Sequence, residues 1–185
     1  MKRAFNALAG ILFFAAFAPY VWAILHGQTQ PSPVSWLIWA SVDTLAYLAM
    51  KKEEARTGQL TGAVLGAWLI TGLAVYYGEV SMGMIEWVSI VGATAGILLW
   101  QKTGNAVLAI VCSQAAIMIG ALPTFASAYA NPALENPVAW SIWLLSCVCA
   151  LFAIKKWDLA NALQPLTFTA VETIMVILVV IRPNI

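Results

Sequence analysis

The sequence predicts an all-α integral membrane protein with seven transmembrane helices, arranged as two parallel three-helix bundles joined by a linker helix (3+1+3). Three observations lead to this class: the composition, an internal duplication and the distribution of basic residues. The 185 residues are 62% hydrophobic and 9% charged, whereas soluble domains carry about 25% charged residues. A soluble fold of this size could not bury so much apolar surface, so the bilayer is the expected solvent.

The internal duplication appears when the sequence is shifted by 104 positions, because two segments then align without a gap. The aligned positions are residues 33–39 with 137–143 (PVSWLIW with PVAWSIW), Lys51-Lys52 with Lys155-Lys156, and Pro19 with Pro123. A duplication within a hydrophobic chain is a recurrent sign of a solute transporter, since two related halves can rock about a central site.

Hydrophobic runs and the breaks between them predict the individual helices. The predicted spans are residues 4–25, 33–50, 60–77, 82–100, 106–130, 137–154 and 166–181. Pro33 and Pro137 begin the second and sixth spans, where the missing N–H costs nothing. Gly62, Gly66 and Gly72 favour close packing of the third helix. The duplication then divides the chain into a first repeat (1–78), a linker helix (79–104) and a second repeat (105–185).

The basic residues support seven spans and predict the orientation. With seven spans, one side of the membrane receives eight basic residues, and the other side receives Arg182 alone. The basic side is expected to be cytoplasmic, so we expect the N-terminus inside, the C-terminus outside, and a prokaryotic inner (plasma) membrane location. A six-span topology would place the two Lys-Lys pairs on opposite faces. The first span could also be read as a cleavable signal peptide, but it is needed to match the fifth helix.

The prolines of this chain carry a resemblance to a known family. Pro19-Tyr20 and Pro123-Thr124-Phe125 lie late in the first helix of each repeat, and Pro33 and Pro137 follow each by 14 residues. With the parallel repeats, this pattern resembles the SWEET and PQ-loop superfamily of small-solute transporters. The resemblance implies that these four prolines act as hinges or gates during alternating access; a static kink is the alternative for Pro19 and Pro123.

Paired tryptophans are candidate lining residues of a central cavity. Trp36 and Trp39 share one helix face, and Trp140 and Trp143 repeat this spacing. Trp36 and Trp140 lie about one turn inside the predicted outer boundary, which favours an interfacial aromatic belt. Trp39 and Trp143 lie deeper, and we expect their indole faces to stack on a sugar ring or a cation.

Three polar residues lie within the predicted spans. Asp43 is ten residues into the second helix, about 15 Å deep, where a carboxylate costs about 2.5 kcal/mol or more unless it is solvated, paired or protonated. Glu172 is six residues into the predicted seventh helix, about 9 Å deep. We expect Asp43, Glu172 and Gln114 to contact the solute. The alternatives are a protonated Asp43 hydrogen-bonded to a neighbouring helix, a Glu172 near the headgroups if the helix boundary shifts by one turn, and a Gln114 that holds two helices together.

Several function classes find no support in the sequence. With a single His, it carries no catalytic constellation, no His/Cys metal-ligand spacing and no phosphate-binding loop. The net charge of +1 gives no case for nucleic acid. We therefore expect neither an enzyme nor a bound cofactor or metal.

The leading expectation is a transporter that moves a small polar solute, sugar-like or another small metabolite, by alternating access between the two bundles. A receptor or sorting protein of the same fold and a non-transporting membrane scaffold are the alternatives. The sequence leaves the oligomeric state open, a homo-oligomer included.

Overall fold

The computed structural model describes residues 1–77 and 83–184, so the predicted boundary between residues 78 and 79 lies outside the described residues. Within these two ranges the chain is helical and contains no strand. The described residues form seven α-helices: α1 (Lys2–Leu25), α2 (Pro33–Lys52), α3 (Gly58–Tyr77), α4 (Met84–Thr103), α5 (Ala106–Ala130), α6 (Pro137–Ala153) and α7 (Leu159–Val176). A π-helical turn (Ile177–Ile181) extends α7, and short 3-10 turns cover Pro132–Leu134 and Arg182–Asn184.

Four of the described helices are long and apolar enough to cross a membrane. They are α1, α3, α5 and α7 with its π-helical extension, and α6 is a shorter apolar helix. This confirms the prediction of a helical, membrane-embedded protein at the level of length and composition. Exposed large apolar side chains such as Trp22, Leu65, Trp68 and Phe152 on the outer surfaces of the helices suit contact with lipid.

The predicted start of the seventh helix is wrong. α7 begins at Leu159 and not at residue 166, because the Asp158 side chain caps it by accepting hydrogen bonds from the Asn161 N–H (3.1 Å) and Asn161 Nδ2 (2.7 Å). Pro165, which directly precedes the predicted span, lies inside the helix. The earlier start places Glu172 near the middle of the helical segment formed by α7 and its π-helical extension, and not six residues from its beginning.

The helices pack in a pattern that is unchanged when the two halves of the chain are exchanged. α1 packs on α3, and α3 on α2; in the second half α5 packs on α7, and α7 on α6. Between the halves, α1 packs on α6 and α2 packs on α5. If α1 is exchanged with α5, α2 with α6 and α3 with α7, the same six helix pairs are obtained. α4 packs mainly on α5.

Polar contacts define the two ends of the bundle. At one end Lys2 Nζ donates to the Ile154 carbonyl at 2.8 Å, and Lys155 Nζ lies 3.9 Å from Glu54 Oε2. The N-terminus, the α2–α3 turn and the α6–α7 turn therefore meet there, with both Lys-Lys pairs. At the other end Asn136 Nδ2 donates to the Pro19 carbonyl at 3.2 Å.

Glycines of α3 allow it to pack directly on the backbone of α1. A Cβ added at Gly58 would overlap the Asn6 carbonyl, one at Gly62 would overlap the Gly10 carbonyl, and one at Gly66 would overlap the Phe17 ring. The predicted packing role is therefore confirmed for Gly62 and Gly66. It is wrong for Gly72, where an added Cβ would meet nothing within 4 Å.

Candidate functional site

A cavity of about 50 Å³, measured as the space open to the centre of a water molecule, lies between the two halves of the bundle. Its described lining comes from every helix except α4. The lining residues, which define the central cavity, are Phe13, Phe17, Trp36, Trp39, Asp43, Ala63, Ala67, Ile117, Trp140, Trp143, Phe168, Val171 and Glu172. A water molecule needs about 10–15 Å³ on this measure, so the cavity has room for a few waters.

Four of the five predicted solute-binding residues line this cavity. Trp39 and Asp43 reach it from α2, Trp143 from α6 and Glu172 from α7. Gln114 is buried, but it is not a lining residue, and neither its amide oxygen nor its amide nitrogen has a hydrogen-bond partner among the described residues.

The interpretation of Trp36 and Trp140 as belt residues is wrong. Their side chains are 6% and 2% exposed, and both line the central cavity. They turn inward because Trp143 forms the centre of an aromatic cluster. Its ring centroid lies 5.0 to 6.3 Å from those of its aromatic neighbours, which are Phe13, Phe17, Tyr20, Trp36 and Trp140. Tilted and edge-on ring pairs at such distances favour burial of all the rings together.

The duplicated tryptophans differ in their hydrogen bonding. Trp143 Nε1 donates to the Phe13 carbonyl at 3.0 Å. Trp39, which occupies the same position in the first half, has a buried Nε1 without a described partner, and its indole packs over Gly120. The duplicated indoles Trp39 and Trp143 therefore differ, because the N–H group of Trp143 is satisfied within the fold and that of Trp39 has no described partner.

The two carboxyl groups come from opposite halves of the chain. Asp43 is 4% exposed and Glu172 is 5% exposed. No described residue donates a hydrogen bond to Asp43 Oδ1 or to Glu172 Oε2, and both atoms are buried. At position 147, which aligns with Asp43, the chain has Cys147, whose sulfur accepts a hydrogen bond from Gln59 Nε2 at 3.1 Å. The polar character of this cavity is therefore asymmetric, although its aromatic walls are duplicated.

The four predicted hinge prolines occupy two kinds of position. Pro33 and Pro137 are in the first turns of α2 and α6, and Pro19 and Pro123 are inside α1 and α5. The Pro19 carbonyl accepts the hydrogen bond from Asn136, which precedes α6. The part of α1 that contains Pro19 is thus tied to the loop of the other half.

A carboxyl group that the sequence did not reveal lies in this loop beside the cavity. Trp140 Nε1 donates to Glu135 Oε2 at 2.9 Å, and the Tyr20 hydroxyl faces the same carboxyl group. Burial raises the pKa of Glu135 to about 7, and the hydrogen bonds from Trp140 and Tyr20 oppose part of that rise. Nothing in the local sequence ENPV predicts this, because Tyr20 is distant in the chain.

A second polar group, also missed from the sequence, lies towards the basic end. Gln164 Nε2 donates to Gln59 Oε1 at 3.0 Å, Gln59 Nε2 reaches Ser146 Oγ at 3.3 Å, and Ser146 Oγ donates to the Ala9 carbonyl at 2.8 Å. This chain of bonds, which we call the inner polar cluster, joins α1, α3, α6 and α7. It closes the bundle between the central cavity and the basic end.

The described residues contain no group of three His, Cys, Asp or Glu side chains that could hold a metal ion. Comparison of the chain with protein-family models, with curated proteins and with solved structures finds no match.

Proposed function

We propose that this protein is a transporter for a small polar solute that works by alternating access, as the resemblance to the SWEET and PQ-loop superfamily suggests. In this proposal residues 1–78 and 105–185 are parallel three-helix repeats, and the helix within residues 79–104 links them. The basic end faces the cytoplasm of a prokaryotic cell, and the C-terminus lies outside.

The observation that carries the proposal is the composition of the central cavity. It lies between the two halves, and each half contributes a pair of tryptophans and one buried carboxyl group. Solute sites of transporters built from repeats lie at the repeat interface near the middle of the bilayer. The exchange symmetry of the helix contacts is the packing expected of two related bundles that enclose such a site.

The size of the cavity supports a rocking mechanism over a fixed pore. Ligand pockets usually have volumes of about 300–1,000 Å³, whereas the central cavity measures about 50 Å³. A solute would therefore enter only when the bundles separate at one end. The inner polar cluster closes one end, and the contact of Asn136 with the Pro19 carbonyl closes the other. Breaking these two sets of contacts in turn would give access from each side.

The alternatives receive less support. A receptor that binds a peptide carboxylate would need a basic residue at the site, and no Lys, Arg or His is among the described lining residues. A scaffold would have no need for unpartnered carboxyl groups at its centre, because such groups destabilise a membrane fold.

Solute entry into proteoliposomes tests the proposal. The purified protein is reconstituted, and swelling after mixing with sugars, polyols, amino acids or small amines is followed by light scattering. We expect at least one solute class to enter faster than into protein-free liposomes, and Asp43→Asn to slow that entry. Glu53→Gln, which changes an exposed carboxyl group in the α2–α3 turn, should leave entry unchanged. Folded protein that accelerates none of the solutes would refute transport.

A further inference from the structure

We propose that the ligand of the central cavity is a small organic cation, held by Asp43 and Glu172 and packed against the tryptophan rings. This inference rests on the proposed function for its site and goes beyond it by naming the substrate class. Three features carry it: the charge of the lining, the types of ligand group that it offers, and its aromatic faces.

The charge of the lining is of one sign. Asp43 and Glu172 are the only ionisable residues among the described lining residues, and each is at least nine-tenths buried with one carboxyl oxygen unpartnered. An ionised carboxylate in an apolar interior needs a compensating cation or must take up a proton. With a neutral solute, proton uptake would be the only compensation for these carboxylates, whereas a cation neutralises at least one of them and hydrogen-bonds to it through an N–H group or contacts it directly.

The ligand groups do not suit a metal ion. Calcium takes six to eight oxygen ligands, and magnesium requires near-octahedral oxygen geometry. The described lining offers two carboxyl groups among aromatic and aliphatic side chains, with no hydroxyl or amide side chain. An organic cation needs fewer oxygen contacts, because its alkyl groups are satisfied by apolar surface.

The aromatic faces supply the remaining contacts. Trp36, Trp39 and Trp143 border the same space as the two carboxyl groups. The face of an indole ring is the most favourable aromatic surface for an alkylammonium ion, and the attraction increases when water is excluded. Carboxyl groups and indoles converging on one cavity therefore recognise an ammonium group by both its charge and its apolar shell.

A matched pair of probes tests this in the wild-type protein. Choline and 3,3-dimethyl-1-butanol have nearly the same shape, but only choline is charged. Binding to detergent-solubilised protein is followed by quenching of tryptophan fluorescence. We expect choline to bind about 10-fold more tightly or better, as the cation–π and carboxylate contacts predict. Equal affinities, or saturable binding of the neutral alcohol alone, would overturn the inference without any variant being needed.

Variants then locate the site. Asp43→Asn and Trp39→Leu should each weaken choline binding about 10-fold, whereas Glu53→Gln should not change it. Choline affinity unchanged in both cavity variants would overturn the assignment to this cavity, and circular dichroism of each variant confirms that it is folded.

The binding and transport experiments together distinguish failure of the cation site from failure of the proposed transport function. Charge-selective binding of choline, with no tested solute entering liposomes faster than in the protein-free control, would leave the cation site standing and refute transport. Transport of sugars, together with equal binding of choline and its neutral analogue, would support the proposed function and refute the cation site.

Discussion

Glu135 provides the sharpest physical prediction, because its pKa lies far from that of an exposed glutamate. The folded protein holds this pKa at about 7, against an ordinary value of 4.5, chiefly through burial. The charged and titratable neighbours are the Tyr20 hydroxyl from α1 and the Glu172 carboxyl from α7. Replacing Glu135 by Gln keeps an acceptor for Trp140 Nε1 and removes the titration.

The sign and size of the pH-dependent change in stability caused by Glu135 follow from the linkage between protonation and folding. Because the folded-state pKa is raised, the stability contributed by protonated Glu135 is fully present below pH 4.5 and is lost as the pH rises towards about 7. At about 1.4 kcal/mol per pKa unit, the loss is about 3 kcal/mol at most. Solvent screening at this partly exposed loop position lowers it to about 1–3 kcal/mol. A chain of this size changes its Tm by about 2–4 °C per kcal/mol.

The assay is thermal unfolding in detergent between pH 4.5 and pH 8.5, for the wild type and Glu135→Gln. We expect similar Tm values for the wild type and Glu135→Gln at the lowest pH. At the highest pH the variant should be roughly 2–12 °C more stable, and this difference should grow as the pH rises to about 7. Glu53→Gln should follow the wild type throughout. Parallel curves for the wild type and Glu135→Gln, or a wild type that gains stability over the variant as the pH rises, would refute the reasoning.

Four further substitutions test the glycine packing, the cap of α7 and the buried amide of Gln114. Gly66→Ala should lower the free energy of unfolding by about 1–3 kcal/mol, because the new Cβ overlaps the Phe17 ring; Gly72→Ala, with open space around it, should be neutral or stabilising by up to about 1 kcal/mol. Asp158→Ala should cost about 1 kcal/mol by removing the cap of α7, and an unchanged Tm would contradict that role. Gln114→Leu should raise stability by about 1–3 kcal/mol, since it removes a buried amide without partners; a lower Tm would indicate that this amide is satisfied in solution. Each is measured by thermal or denaturant unfolding in detergent.

Local sequence signals determined most of the helices and the class of the protein. Hydrophobic runs fix which segments avoid water, and the start of α2 at Pro33 and of α6 at Pro137 agrees with prediction because proline suits the first turn of a helix. The predicted seventh span began after Pro165, whereas α7 begins at Leu159 behind the Asp158 cap and continues through this proline. An N-terminal capping residue is a local signal, so the true start of α7 is one that the sequence also carries.

The sequence predicted Trp39, Asp43, Trp143 and Glu172 as cavity residues, whereas only the tertiary structure added Trp36 and Trp140 to the lining. Depth along α2 and α6 placed Trp36 and Trp140 near the membrane interface, but rotation about the helix axis and packing against Trp143 turned them inward. The assembled bundle also buries Glu135 and thereby raises its pKa, and it brings Tyr20 of α1 to this carboxyl group from far away in the chain. A sequence period states which residues lie on one face of a helix, whereas only the assembled bundle determines what that face contacts.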